Sequence, residues 1–260
     1  MTRIPDSAPR AAASRAAPVP VRPVASRAMP DLRPARLPAR GEALVPHLYR
    51  DLRERIVSGA LAPGEAVSES RIAEGYGVSR TPIREAFKKL AEDGFLDVVP
   101  QVGSFVARID LKVVRDNHFV RETLECRIAG LAAERIDAAG ARALRDNLAQ
   151  QRQALTRKDP AAFFEADEAM HALMAQLAGH ASAWQVIHAA KGQLDRVRHL
   201  SLISGRRSRQ RLDEHREVAE RVIAGDAAGA SDAMRRHLGS IFDAIDNIAA
   251  ENAHFFVDPS

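Results

Sequence analysis

Cysteine occurs once in 260 residues, at Cys126. A lone thiol cannot close an internal disulfide, so packing must hold the fold, and the chain fits a reducing, cytoplasmic compartment. Cys126 falls inside a helical pattern with no partner constellation and reads as a bystander, not a nucleophile. No run of about 18 apolar residues is present, which leaves out a membrane-spanning helix. HExxH, GxSxG and a glycine-rich phosphate loop are also missing, and with them the usual signatures of metalloproteases, serine hydrolases and nucleotide-binding enzymes.

What the chain does hold is globular in kind: 28% charged and 46% hydrophobic residues, over a length that suits two modest domains. The pI near 9.6 looks like an affinity for nucleic acid. Its distribution says otherwise. Residues 1–45 carry eight arginines and three acids, residues 46–110 nine bases and ten acids, and the remainder is balanced. Specific binding must therefore rest on placed arginines in a near-neutral domain, with the leader adding only a salt-sensitive, sequence-independent term.

Residues 1–43 are Ala/Pro/Arg-rich without periodicity and read as a disordered tail that lacks a secretory h-region; Met29 is an alternative start. Residues 44–59 place Leu48, Leu52 and Ile56 on one helical face, and Gly59 ends it. The stretch "VSESRIAEGYGVSRTPIREAFKKL" (67–90) then reads as a short helix over Glu69–Glu74 capped by Ser68, a turn at Gly77-Val78, and a longer helix capped by Ser79. Pro82 sits in the first turn of the second helix, where its missing N–H costs little. Ile83, Ala86, Phe87 and Leu90 form its apolar stripe, and Arg80, Arg84 and Lys88 a cationic one roughly 110° away. That pair of faces is what a helix needs to lie in a major groove. A hairpin follows in "GFLDVV" (94–99), a turn at 100–103, and "SFVARI" (104–109), which completes a winged helix-turn-helix.

From 111 onward only helical periods appear. They predict helices at 111–136, 139–156, 160–178, 182–204, 208–224 and 227–250, six amphipathic rods that form a bundle, then a loosely held end. Val113, Val120, Leu124, Ile128 and Leu131 stripe the first. Four polar residues interrupt the inward faces of the others: Asp167 and, one turn on, His171 on the Phe163/Met170/Met174 stripe; His215 between Leu212 and Val218; His237 between Met234 and Ile241. A carboxylate aimed into an apolar interior needs a partner. If the four converge, they make a divalent metal site with room for water or ligand; taken singly, each histidine reads better as a satisfied core or interface residue. His118, His188 and His199 lie off their stripes and read as solvent-facing.

Residues 46–109, and "GVSRTPIREAF" above all, resemble the GntR family of bacterial transcription regulators. The resemblance implies DNA contacts from Arg80, Thr81 and Arg84 and from the wing-tip Gly103; Ser70 stands where some relatives carry a further arginine, which leaves the neighbouring Arg71 without an assigned role. Residues 113–245 resemble the FadR-type effector domain known as FCD at "VRETLECRIAGLAAER", "DEAMH", "EHREVAERVIAGDAAGA" and "MRRHL". This second resemblance implies Asp167, His171, His215 and His237 as metal ligands, zinc first and nickel or manganese as alternatives. It also implies a small carboxylate effector neutralised by Arg121. His180 stands where relatives often carry Asn, so the pocket lining there does not transfer.

The expected fold is therefore mainly α: a tail (1–43), a winged helix-turn-helix (44–110), an all-α effector-binding and dimerisation bundle (111–250) and a C-terminal tail (251–260). The expected function is a homodimeric, ligand-responsive regulator on double-stranded operator DNA, not an enzyme and not membrane-bound. A metal-dependent hydrolase using the Asp/His3 site is the alternative, and a purely architectural dimer the third reading.

Overall fold

The computed structural model describes residues 43–203 and 208–257; the expected tail over 1–43 and the alternative start at Met29 lie almost wholly outside them. The first unit begins with α1 (Leu44–Val57), whose Leu48, Leu52, Ile56 and Val57 are buried. β1 (Ala66–Val67) leads into α2 (Glu69–Tyr76) and α3 (Arg80–Glu92). Ser68 caps α2 by accepting from the Arg71 amide, and Gly77, at φ 65°, closes it in the left-handed conformation. α2 runs through Gly75 to Tyr76, past the break expected after Glu74, because the Tyr76 ring is buried and its hydroxyl donates to Asp51. Ser79 holds the N-cap position of α3 in extended backbone without a side-chain hydrogen bond.

The wing is β2 (Leu96–Val99) and β3 (Gly103–Val106), antiparallel, with Leu96 opposite Val106 and Val99 opposite Gly103. Both strands are shorter than the sequence pattern predicts. β1 adds a third strand on the other side of β3, giving the order β1-β3-β2; at two residues it is too short for any alternation to be read. Gly103 has φ 146°, a conformation open to glycine, so the tight wing tip requires it.

Eight helices follow where six were expected: α4 (Leu111–Arg135), α5 (Ala138–Thr156), α6 (Pro160–Leu177), α7 (Ala181–Ala190), α8 (Gly192–Ile203), α9 (Ser208–Ile223), α10 (Ala227–Gly239) and α11 (Phe242–Glu251). Asp110, Asp137, Asp159 and Asp226 each cap a helix start with a carboxylate oxygen on a backbone N–H. The rod expected over 182–204 breaks at Lys191. There the bundle meets the first unit, and a Cβ on Gly192 would stand 2.4 Å from the Phe95 ring. The rod expected over 227–250 breaks at Ser240, whose hydroxyl lies 2.8 Å from the His237 carbonyl and 3.1 Å from the Glu214 carboxylate.

The main bundle core joins α4, α5, α6, α9 and α10 through residues such as Ala129, Leu144, Met174, Val218 and Met234. A second cluster ties Ile109 and Val114 to Leu194, Val197, Ile241, Ile245 and Phe256. Up to Val257 the C-terminal segment is thus not loose: Phe256 is buried, Ile109 donates to the Phe255 carbonyl at 2.9 Å, and Val257 donates back to Ile109 at 3.0 Å. α4 also faces differently from its apolar pattern. Val113 and Phe119 are exposed, while His118, Arg121 and Glu125 are buried. His118, expected in solvent, meets the Phe242 ring edge-on at 4.5 Å and lies 2.9 Å from Glu122. His188 is exposed as expected; His199 is only half so, packed on Phe164 at 4.2 Å. Among the described residues no helix is long and apolar enough to cross a membrane.

Candidate functional site

The outward face of α3 carries Arg80, Thr81 and Arg84, all exposed, behind which Ile83, Ala86, Phe87 and Leu90 are buried. The guanidiniums are tethered lightly. Arg80 Nη1 donates to Ser70 Oγ at 3.3 Å, and Arg84 reaches Glu69 at 3.2 Å with 69% of its side chain in solvent. An exposed pair of that kind contributes roughly 0–1 kcal/mol and is readily exchanged for a stronger acceptor. Ser70, the residue at the departing position, is thus a partner of Arg80. Gly103 is exposed at the wing tip beside Val102, which is 70% exposed.

The bundle brings three of the expected polar residues to one point. One ring nitrogen each of His171 (α6), His215 (α9) and His237 (α10) lie within 4.8 Å of one another, all buried. Their outer partners were not foreseen. His215 Nδ1 lies 2.7 Å from Gln151 Oε1, and Gln151 is itself oriented by donating to Asn147 at 2.8 Å. His237 Nδ1 lies 3.0 Å from Glu214, and His171 Nδ1 sits against Glu125. A carboxamide oxygen or a carboxylate can only accept, so the ring N–H stands at Nδ1 and the Nε2 lone pair points inward. His215 Nε2 and His237 Nε2 then face each other at 3.2 Å with no proton between them.

Asp167 adjoins this triad without completing it. Its Oδ1 is 3.3 Å from His215 Nε2, buried and without a hydrogen-bond donor, while Oδ2 is taken by Arg198. Nitrogen ligands about 2.0 Å from a tetrahedral zinc stand roughly 3.3 Å apart. The two observed separations match that spacing, and facing lone pairs with an orphaned carboxylate oxygen are the donor set a divalent cation requires. Ring N–H groups bound to acceptors further out are the usual orienting arrangement of such a centre.

The electrostatics agree. Burial first, then His237 beside His215 and His171 beside His237, holds both rings well below the ordinary imidazole range, so both are neutral. Burial alone would push the carboxyls of Asp167 and Glu125 up; Arg198 and the imidazoles reverse that for Asp167, and Arg121 and His171 for Glu125, so both stay ionised. Burial pushes the Cys126 thiol up to about 11, which leaves it inert at neutral pH.

Arg121 is buried, paired with Glu125, and donates from Nη2 to His171 Nε2 at 3.0 Å. With Arg198, Arg211 and His237 it lines a narrow cavity of about 10 Å³, near the volume of one water. Arg198 and Arg211 escaped the sequence reading although a signal existed: Arg211 is one turn before His215, and Arg198 adjoins the apolar Leu194/Val197 stripe.

α8 also grips the first unit. Gln193 Nε2 donates to the Gly94 carbonyl at 2.7 Å and Arg196 Nη2 to the Ala107 carbonyl at 2.6 Å. On the same helix Asp195 pairs with Lys191, and Arg198 with Asp167. One rod therefore touches the wing's two ends and the polar centre.

Comparison with known proteins agrees with both halves. Residues 44–106 match the family model described as bacterial regulatory proteins, gntR family, and residues 117–240 match the FCD domain. Over 209 residues the chain is 40% identical to an HTH-type transcriptional regulator in an unstable DNA locus of Streptomyces ambofaciens, covering 80% of this chain and 88% of that one. It is 37% identical, over 80% of this chain and 92% of the relative, to the HTH-type transcriptional repressor RspR of Escherichia coli K12. In structure it resembles E. coli McbR/YncC at a TM-score of 0.69 and 19% identity, over 79% of this chain and 98% of that one, a likeness of fold. These relatives are transcription regulators, which removes the hydrolase alternative. The chain belongs to the gntR family of bacterial regulatory proteins and is a DNA-binding transcriptional regulator with an FCD domain.

Proposed function

We propose that this regulator works in the cytoplasm as a homodimer whose hold on operator DNA is set by a small carboxylate bound at a divalent metal in the bundle. The observation that carries the reading is the pair of Nε2 lone pairs of His215 and His237 meeting at 3.2 Å beside the orphaned Asp167 oxygen. His171, His215, His237 and Asp167 are the proposed ligands. Zinc suits three imidazoles and a carboxylate with an open position, nickel or manganese being the alternatives. When bound, such an ion supplies a Lewis-acid seat for a carboxylate oxygen. Gln151, Glu125 and Glu214 keep the imidazoles aimed, and the arginines lining the cavity, Arg121 among them, offset the effector's charge.

On the DNA side, Arg80, Thr81 and Arg84 at the start of α3 and Gly103 at the wing are the proposed contacts. Ser79 leaves the first amides of α3 without a side-chain acceptor, so a phosphate oxygen fits there as well. Residues 44–110 are the proposed DNA-binding domain and 111–250 the effector and dimerisation domain. Phe119, 71% exposed on α4, suits an apolar dimer seam. RspR is named a repressor; by that likeness the protein silences its operator until the effector arrives. Control requires the effector to favour one arrangement of the DNA heads, and α8 is the element that touches both the base of the wing and the polar centre.

The test pairs metal analysis of protein purified without chelator with sedimentation and operator gel shifts. The expected result is a dimer carrying about one divalent ion per chain. Equal metal content in a His215→Ala, His237→Ala double variant would remove the metal centre from the account.

A further inference from the structure

Arg211 forms no salt bridge among the described residues, although the charges of Asp167 and Glu214 act on it from further off. It is 5% exposed, its Nη1 is buried without a hydrogen-bond partner, and no ion pair links it to any described residue. The other guanidiniums of the cavity are engaged: Arg121 with Glu125 and His171, Arg198 with Asp167, Glu168 and Asp195. Burial, followed by the nearby Arg198, lowers the Arg211 pKa to about 10, which still leaves it cationic at neutral pH. A buried cation without a salt bridge is costly and persists where something else supplies the balancing charge. Its cavity opens between the polar centre and three apolar walls, Leu194, Leu238 and Ile241.

We propose that Arg211 is the docking point for the effector's carboxylate, and that the effector is a carboxylate with a short hydrocarbon body. This inference rests on the effector reading above and adds the residue and the ligand class. The planar fork of Arg211 pairs bidentately with a carboxylate, and Leu194, Leu238 and Ile241 give a short hydrocarbon body apolar walls, with Ser240 the one hydroxyl in the lining. Since the closed cavity is about the size of one water, entry of such a ligand must displace the side chains around it, Arg198 and Leu194 of α8 included. Binding at Arg211 thereby reaches the rod that grips Gly94 and Ala107.

The experiment uses full-length protein, zinc-loaded or metal-free, melted in sodium propionate, sodium gluconate or sodium chloride at matched ionic strength, with metal content measured in every sample. Propionate tenfold above its Kd is expected to raise the wild-type Tm by about 2–4 °C over chloride. Arg211→Met is expected to melt higher than wild type in chloride and to lose the propionate response. Arg211→Lys keeps the charge and a reduced response, and Arg121→Met, which removes a neighbouring guanidinium of the same cavity, loses less of the response than Arg211→Met. A wild-type protein indifferent to propionate, or an Arg211→Met variant that still responds fully, overturns the anchor. Loss of the response in Arg121→Met alone also overturns it, moving the role to α4. An equal response to gluconate overturns the hydrocarbon body. Protein that holds no zinc yet shows the Arg211-dependent response upholds the anchor and sinks the metal reading by itself.

Discussion

His215 and His237 present Nε2 lone pairs to each other at 3.2 Å, because Gln151 and Glu214 take the proton-bearing Nδ1 of each ring. Two neutral imidazoles in that posture repel unless a cation or proton sits between them, and burial disfavours the proton. The polar centre is therefore tense by itself, and the first expectations follow from what relieves it.

Removing metal should destabilise the protein. A chelator in excess is expected to lower the Tm of wild type, and added zinc to restore it in proportion to the logarithm of its concentration. A melting curve that ignores both would speak against a bound ion. Gln151→Leu strips the Nδ1 partner from His215 and is expected to weaken metal affinity about 10–100-fold, measured by competition with a chromogenic chelator.

Metal-free protein should lose stability in mild acid. The folded pKa values of His215 and His237 are depressed, so below about 6.5 the unfolded chain takes up protons that the folded one refuses. The stability these rings contribute is fully present above the unfolded value and declines as pH falls beneath it. The slope is up to about 2.7 kcal/mol per pH unit for the two together. Denaturant midpoints between pH 7 and 5 measure this; replacing both rings by leucine should flatten the curve.

Arg80→Ala and Arg84→Ala should each cost about 1–3 kcal/mol of operator affinity if the side chain reads a base edge. Thermal stability should move by less than about 0.5 kcal/mol, since both side chains are exposed and only lightly paired. Gel shifts against specific and scrambled duplexes separate loss of selectivity from uniform weakening. Unchanged selectivity in both variants would leave α3 without its assigned role.

Arg196→Met should uncouple the two halves. It deletes the bond to the Ala107 carbonyl and leaves the centre's own side chains in place. Hydrogen exchange over residues 94–107 is expected to slow on zinc addition in wild type and to stay fast in the variant at equal metal content. A wild-type wing blind to zinc would deny α8 its part in transmission.

Phe256→Ala should destabilise by about 3–5 kcal/mol, as for a fully buried aromatic. The ring is 5% exposed against the Ile109 cluster. Urea midpoints would check it, and a change within about 0.5 kcal/mol would mean that the C-terminal end is dispensable after all.

Much of this was readable in one dimension because the relevant signals are local. Ser68 and the four capping aspartates mark helix starts through bonds to amides two or three residues away, Pro82 fits the first turn of α3, and the α3 faces follow from the helical period alone. The inward turn of Asp167, His171, His215 and His237 came from the same period, and all four are buried. Their assembly did not, since it depends on how α6, α9 and α10 pack.

Where the reading erred, a distant contact outweighed local pattern. Lys191 and Ser240 break helices whose period runs on unbroken, because Phe95 presses on Gly192 in one case and Glu214 and His237 hold the hydroxyl in the other. α4 buries His118, Arg121 and Glu125 while Val113 and Phe119 stay exposed, since the charge of each buried group is met by a residue from elsewhere or one turn away. Arg198 and Arg211 stand near inward-facing positions, but only the closed bundle shows that they are buried.

The sequence by itself determined the winged helix-turn-helix, the cationic face of α3 and the polar residues on inward faces, because periodicity and capping act within a few turns of chain. Only the tertiary structure decided which lone pairs meet, which buried guanidinium forms no salt bridge among the described residues, and that α8 joins the wing to the polar centre, because those depend on distances between elements far apart in sequence.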